Sequence, residues 1–213
     1  MGPAPPPASG AAAVALPAPA PAAPAGPLAG VLDHPLVGRV DALAESIARP
    51  MRGIAPLDRL FYGLSAVGDH GIAWHVVGVA RALLGIDTWG GAVELSAALG
   101  VEAAVVNGPI KWLFRRVRPT HDGPRPHGLR TPRTSSFPSG HASSGMFAAA
   151  LVARRSQVRW PWYALGAAIG WSRVHVRIHH GSDVVAGYAV GAVLGAAANR
   201  LLDRQDPQRC GRR

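Results

Sequence analysis

The chain has 213 residues, of which 48% are apolar and only 16% charged, against ~25% charged in soluble globular domains. Its formal net charge is +10, carried almost wholly by arginine, since Lys111 is the single lysine. This balance excludes an ordinary soluble domain. With no basic face on a soluble pattern and no recognised binding motif, it also gives no ground for a nucleic-acid partner. Cys210 stands alone, so no intramolecular disulfide is possible.

Residues 1–29 are mostly alanine, proline and glycine, without charge. Their closely spaced prolines forbid a continuous helix, and the segment lacks the basic start and apolar core of a signal peptide. It reads as a disordered tail. Residues 30–56 read as an amphipathic helix: Leu36, Val40, Leu43 and Ile47 recur at helical spacing between Arg39, Asp41, Glu45 and Arg49, a pattern that fits an interfacial helix and a short solvated packing helix equally. Five apolar segments follow, each near the roughly 20 residues that span a bilayer. They run from about Leu57 to Leu84, Trp89 to Phe114, Pro138 to Ala153, Trp160 to Ile178 and Ser182 to Leu202. Gly68-Asp69-His70-Gly71 interrupts the first, and a polar arginine-rich loop over 115–136 separates the second and third. Glycine and alanine are dense in the last three, which permits close helix packing in lipid. Glu94 and Glu102 fall inside the apolar stretches, so either they pair in the bundle interior or those segments include buried helices of the soluble type. The fold expected is all-α: an integral-membrane helical bundle with about five transmembrane helices plus an N-terminal amphipathic helix. Residues 203–213 form a basic C-terminal tail.

Three polar clusters stand at the rims of these segments. Lys111 and Arg118 are seven residues apart, so on one helix they share a face within roughly 20° and lie about 10 Å apart along it; Pro119 would end that helix. Arginine offers a planar fork for phosphate oxygens and lysine a point charge. Arg173 adds a third cation, and three fixed cations suit the charge of phosphoryl transfer. Pro138-Ser139-Gly140-His141 opens the third segment, where first-turn N–H groups near Ser139 and Gly140 would face an anion and His141 could serve as general acid. His179 and Asp183 are four apart, which brings two side chains together on a helix. A carboxylate on one imidazole nitrogen fixes the tautomer and leaves the other nitrogen to attack. The connectivity returns all three clusters to one membrane face.

The patterns K-x6-RP, PSGH and SR-x5-H-x3-D resemble the three signatures of the type 2 phosphatidic acid phosphatase (PAP2) superfamily, which also includes vanadium haloperoxidases. Each signature position is filled, by Lys111, Arg118, Pro119, Pro138, Ser139, Gly140, His141, Ser172, Arg173, His179 and Asp183. The resemblance covers about residues 57–202. It implies a membrane lipid phosphatase in which His179 becomes phosphohistidine, held by Asp183, while His141 protonates the leaving group and then activates water. Lys111, Arg118, Ser139, Gly140 and Arg173 would bind the phosphate, with no metal or cofactor. A decaprenyl-phosphoryl sugar phosphate, undecaprenyl diphosphate, phosphatidic acid and phosphatidylglycerol phosphate all fit, the arginine- and alanine-rich composition leaning towards a polyprenyl-linked substrate. A vanadium-dependent haloperoxidase and a non-catalytic lipid-binding protein are the alternatives from other classes.

The remaining polar residues read more plainly. His175 and His180 are bystanders by their offsets, and Arg115, Arg116 and Arg177 are headgroup contacts. Asp69-His70 is a buried pair at a helix kink, with a place in the cavity wall as the functional alternative. His121, Asp122, Arg125, His127, Arg130 and Arg133 form a solvated loop or a lid over the substrate headgroup. Arg154, Arg155 and Arg159 and the arginines of the tail gather on the face opposite the clusters. By the positive-inside rule the site would then face outward from a multi-pass protein of the plasma membrane.

Overall fold

The structure, a computed structural model, describes residues 26–120, 129, 132 and 134–205. Most of the alanine- and proline-rich tail, most of the loop expected to be a lid, and the basic end with Cys210 lie outside the described residues.

Helix α1 (Pro35–Ala48) starts where His34 accepts a hydrogen bond from the Leu36 amide (3.2 Å) and Pro35 fills the first position, where its missing N–H costs nothing. Its two apolar edges have different fates. Ala44 and Ala48 are buried, whereas Leu36, Leu43 and Ile47 stay exposed. Arg52, just beyond, donates to the carbonyls of His175 (2.8 Å) and Val174 (2.9 Å) and pairs with Glu45.

The apolar stretch 57–84 does not form a single span. It folds as α2 (Ala55–Val67) and α3 (Ile72–Leu83), of 13 and 12 residues. Between them His70 (φ 53°) and Gly71 (φ 70°) take left-handed backbone, which no helix accommodates. Helix α4 (Trp89–Val105) is capped by Thr88, whose hydroxyl accepts from the Gly91 amide (3.0 Å). It runs through a π-helical turn (Val106–Ile110), which contains Pro109, into α5 (Lys111–Phe114). Arg115 then turns left-handed at φ 45° and stops the helix.

Helices α6 (Gly140–Arg154), α7 (Trp160–His175) and α8 (Gly181–Gln205) pack through glycine. Gly145 and Gly166 lie back to back between α6 and α7, and Gly187 and Gly191 of α8 rest on the α6 backbone near Ser139 and Ser143. Such small residues let helices approach where lipid offers no hydrophobic drive. Phe147, Ala148 and Leu151 of α6 join Trp74, Leu95, Leu99 and Ile169 in the main core. At the end of the bundle away from the site, Arg155 pairs with Glu94 (2.8 Å) and Asp87 (3.0 Å), and Arg154 with Asp203 (3.0 Å). Glu94 is thus paired inside the protein, as its position in an apolar stretch requires.

Among the described residues the fold is all-helical. Two continuous helical stretches are long and apolar enough to cross a membrane: Trp89–Phe114 (26 residues, mean hydropathy 1.3) and Gly181–Arg204 (24 residues, 1.4). Helices α6 and α7, of 15 and 16 residues, fall short of the roughly 20 a perpendicular span needs. Valines 76, 79, 93, 101, 185 and 193 are exposed on α3, α4 and α8, an apolar belt that a soluble surface would not carry.

Candidate active site

One end of the bundle encloses a cavity of about 870 Å³, and Lys111, Arg118, Gly140, His141, Arg173 and His179 line it. Residues from three separate sequence clusters therefore share one chamber. Ser139 does not face it. The residue is buried as the N-cap of α6, its hydroxyl facing the Ala142 amide (3.5 Å), while its own amide donates to the Asp183 carbonyl (2.9 Å). This joins the start of α6 to the start of α8.

His179 lies in the short connection between α7 and α8, held by hydrophobic burial of Val176 and Ile178 beneath it. Its Nδ1 is 3.4 Å from Asp183 Oδ2, and its Nε2 is 3.0 Å from Arg118 Nη1. A guanidinium only donates, so Nε2 is the acceptor and the proton of the neutral ring belongs on Nδ1, facing the carboxylate. Asp183 also closes the helix start. Its Oδ2 accepts from the His180 amide (2.8 Å), the reach-back of a capping box. Arg116 Nη1 donates to Asp183 Oδ1 (2.6 Å) and to Ser182 Oγ (2.7 Å), and Ser136 Oγ donates to Asp183 Oδ2. Arg116 Nη2 continues to Asp41 Oδ2 of α1 (2.6 Å), and Asp41 Oδ1 accepts from the Ser182 amide (2.8 Å). Gly181 makes this docking possible, because a Cβ there would strike Ala44 and the Val40 carbonyl of α1.

Burial pushes the His179 imidazole down to about 3, with the Asp183 carboxylate opposing and the Arg118 charge reinforcing the shift. The folded protein thus keeps this ring neutral, while the unfolded chain protonates it near 6.5. The unfolded state binds more protons below pH 6.5, so this contribution to stability is complete above that pH and is lost as pH falls towards 3. Unfolding followed in detergent at pH 7.5 and 4.5 should show a larger drop in midpoint for wild type than for His179→Asn. An equal drop in the two proteins would mean that the ring is not held neutral.

His141 projects from the first turn of α6. Its Nε2 is 3.0 Å from Asp69 Oδ1 and 3.3 Å from the Ser65 carbonyl. Both partners accept, so the Nε2 proton points at them and Nδ1 is left for other chemistry. The kink between α2 and α3 positions Asp69, and its glycine is needed for space: a Cβ on Gly68 would come within 2.6 Å of the His141 ring. Arg173, buried in the last turn of α7, donates through Nη1 to Ser65 Oγ. Lys111 is buried, with Nζ 3.5 Å from Thr134 Oγ1. Glu102 is buried too and accepts from Ser143 Oγ (2.5 Å).

Besides the position of Ser139, three sequence readings change here. Lys111 and Arg118 do not share a helix, because the left-handed Arg115 ends it well before Pro119. Arg118 lies in extended chain and reaches the cavity by donating to the carbonyls of Ile178 (3.1 Å) and Ser135 (3.2 Å). Arg116 is no headgroup contact: it is the main partner of Asp183. Asp69 belongs to the cavity wall and pairs with His141. No local pattern announces these last two contacts, since each joins residues far apart in sequence; the signal available for Asp69 was charge inside an apolar stretch, and Arg116 offered none. His175 and His180 keep structural parts, His175 Nε2 on Asp58 (2.7 Å) and His180 Nε2 on the Val117 carbonyl (3.3 Å). Among the described residues no group of three or more His, Cys, Asp or Glu side chains is arranged to hold a metal ion.

A buried histidine–aspartate pair facing a second histidine across a cation-lined chamber is the equipment of a phosphoric-ester hydrolase. The chain belongs to the PAP2 superfamily, which it matches over residues 91–206. It is 36% identical over 142 residues to a decaprenylphosphoryl-5-phosphoribose phosphatase of Mycobacterium tuberculosis, covering 65% of this chain and 77% of that one. It is 33% identical over 124 residues to a lipid A 1-phosphatase of Porphyromonas gingivalis, covering 54% of this chain and 25% of the relative. Its fold is similar to that of a transmembrane PAP2-type phosphatidylglycerolphosphate phosphatase from Bacillus subtilis, with a TM-score of 0.61 at 20% identity over 83% of this chain and 91% of that one.

Proposed function

We propose that the protein removes a terminal phosphate from a polyprenyl-phosphoryl sugar phosphate in the bilayer, through a phosphohistidine on His179 and without a metal. The observation that carries this reading is His179 itself, with Asp183 behind one ring nitrogen and Arg118 in front of the other. The relatives that act on decaprenylphosphoryl-5-phosphoribose support the substrate class.

Lys111, Arg118 and Arg173 hold the phosphate, assisted by the open backbone at Gly140. The Nε2 lone pair of His179 forms a P–N bond as the bond from phosphorus to the leaving oxygen breaks, and His141 gives that oxygen a proton. Asp183 stabilises the positive ring that results. Water then attacks phosphorus, His141 takes one of its protons, the P–N bond breaks, and inorganic phosphate departs from a neutral His179. Asp69 orients His141 and supports its charged form. The bundle is multi-pass, with its short helices crossing in broken pairs or where the bilayer thins to meet them, and with Leu36, Leu43 and Ile47 of α1 lying in the interface. By the positive-inside rule, the arginines at the far end support an active site on the outer face of the plasma membrane.

Phosphate release should be followed with detergent-purified protein in EDTA, across polyprenyl-phosphoryl sugar phosphate, polyprenyl diphosphate, phosphatidic acid and a soluble monoester. Turnover of the sugar-linked lipid with the highest kcat/KM is expected; no turnover of any lipid by folded protein would sink the proposal. Asp69→Asn is expected to lower kcat for a lipid substrate about tenfold with KM within twofold, since the acid is misoriented and not lost. The same variant should lose much less with p-nitrophenyl phosphate, whose leaving group needs no proton. Equal losses on both substrates would mean that Asp69 acts elsewhere.

A further inference from the structure

The chamber is much larger than a phosphate requires. At about 870 Å³ it falls at the upper end of pockets that enclose a whole drug-sized ligand. The cations occupy one side of it. The other wall is built by α3, α4 and the kink before α3, and apart from Asp69, which orients His141, its residues have no part in the phosphate chemistry.

On α4 and the π-helical turn that continues it, Ser96, Gly100, Ala103 and Asn107 all line the cavity. They recur at the spacing that keeps one helical face, so they form a stripe of about 16 Å from Ser96 to Asn107. Asn107 stands at the phosphate end. Its Oδ1 would be 3.3 Å from a Cβ on Gly140, and Lys111 Nζ 3.8 Å from the same point, so carboxamide and ammonium are neighbours. The π-helical turn over Val106–Ile110 carries Asn107 and leads directly into Lys111, a local distortion of the kind that collects at functional sites. Gly100 and Ala103 have little bulk and leave the middle of the stripe open. At its far end Ser96 Oγ is 2.9 Å from His75 Nδ1, and His75 Nε2 is directed towards Gly71 on the cavity side, 3.7 Å from where a Cβ there would stand. Asp69 completes the wall between His75 and His141.

These polar side chains come from helices whose other faces present valine; Ser96 and His75 bond each other, and Asn107 donates through Nδ2 to the Ala103 carbonyl (3.0 Å) while its Oδ1 faces the cavity. A lipid tail would select an apolar lining. Phosphatidic acid and a polyprenyl diphosphate bring mainly acceptors next to the phosphate, which Asp69 cannot use, whereas Ser96, His75 and Asn107 both donate and accept. Hydroxyl groups both donate and accept. We propose that this wall, formed by Asp69, His75, Ser96 and Asn107, is a headgroup subsite for a polyhydroxylated glycosyl unit lying between the scissile phosphate and the lipid. The inference rests on the phosphatase reading above and specifies which residues select the substrate.

Two measurements on the full chain test it. The first compares kcat/KM for a polyprenyl-phosphoryl pentose 5-phosphate with that for phosphatidic acid, in wild type, Ser96→Val and His75→Phe. Wild type should favour the pentose substrate, and each variant should cut that preference about three- to tenfold, the size of one or two lost hydrogen bonds. Release of phosphate with no preference for the pentose, or a preference within twofold of wild type in both variants, would overturn the subsite and leave the phosphatase intact. The second measurement reads binding without turnover. Ribose 5-phosphate should raise the unfolding midpoint more than an equal concentration of inorganic phosphate, and the margin should vanish in both variants. Equal shifts in wild type would overturn the subsite. Because binding is read separately, a protein that releases no phosphate at all exposes failure of the phosphatase reading by itself.

Discussion

Alanine in place of His179 is expected to lower phosphate release by about four orders of magnitude or more, the scale seen when a covalent nucleophile is removed. The side chain is buried, so the loss could be confused with misfolding. Two observations separate them. The variant should keep its affinity for inorganic phosphate, because Lys111, Arg118 and Arg173 are untouched, and it should accumulate no phosphoenzyme. Wild type quenched during turnover should carry an acid-labile, alkali-stable phosphoryl group, as a phosphoramidate does. Asp183→Asn should fall nearly as far, because an amide no longer favours the Nδ1–H tautomer that frees Nε2. Turnover by His179→Ala within tenfold of wild type would exclude covalent catalysis at this residue.

Methionine in place of Arg116 is expected to cost about 3–5 kcal/mol of stability, the usual consequence of removing one partner from a buried charge cluster. Asp183 is fully buried and would keep its charge without its main counter-ion, and Asp41 would lose the same partner. Activity should fall with stability, since the carboxylate that orients His179 would be free to protonate or turn away. Arg116→Lys should recover only part of either property: one ammonium cannot reproduce the fork that reaches Asp41, Ser182 and Asp183 together. Combining Arg116→Met with Asp41→Asn should cost less than the sum of the single changes, since the second removes a charge that the first had stranded. Strict additivity in unfolding midpoints would show that the three residues do not act as one network.

Signature motifs are local patterns, and for that reason the sequence placed Lys111, Arg118, Gly140, His141, Arg173 and His179 at one site, where the structure brings all of them to one cavity. The partners of those residues were much harder to see. Asp41, Asp69 and Arg116 reach the site only through the path of the chain, and no spacing rule connects them to His141 or Asp183. Helix boundaries were obscured by a different effect. Hydropathy counts Val176 and Ile178 as part of a span, yet both are buried in the loop beneath His179. In the same way it read 57–84 as continuous, because a kink made by left-handed His70 and Gly71 hardly alters the average. All-helical architecture was legible from composition alone, whereas the broken helices that shape the chamber depended on particular backbone angles.

The contact between Asp41 and Arg116 also bears on how the protein could be divided or recombined. The stretch that carries the family likeness begins at residue 91, well after the helix Pro35–Ala48 that supplies Asp41. A chimera joined at that boundary would import the nucleophile and its aspartate with one arm of their arginine unanchored. The smallest portable catalytic module therefore starts no later than α1, and grafts that respect this limit should outperform those cut where sequence similarity ends.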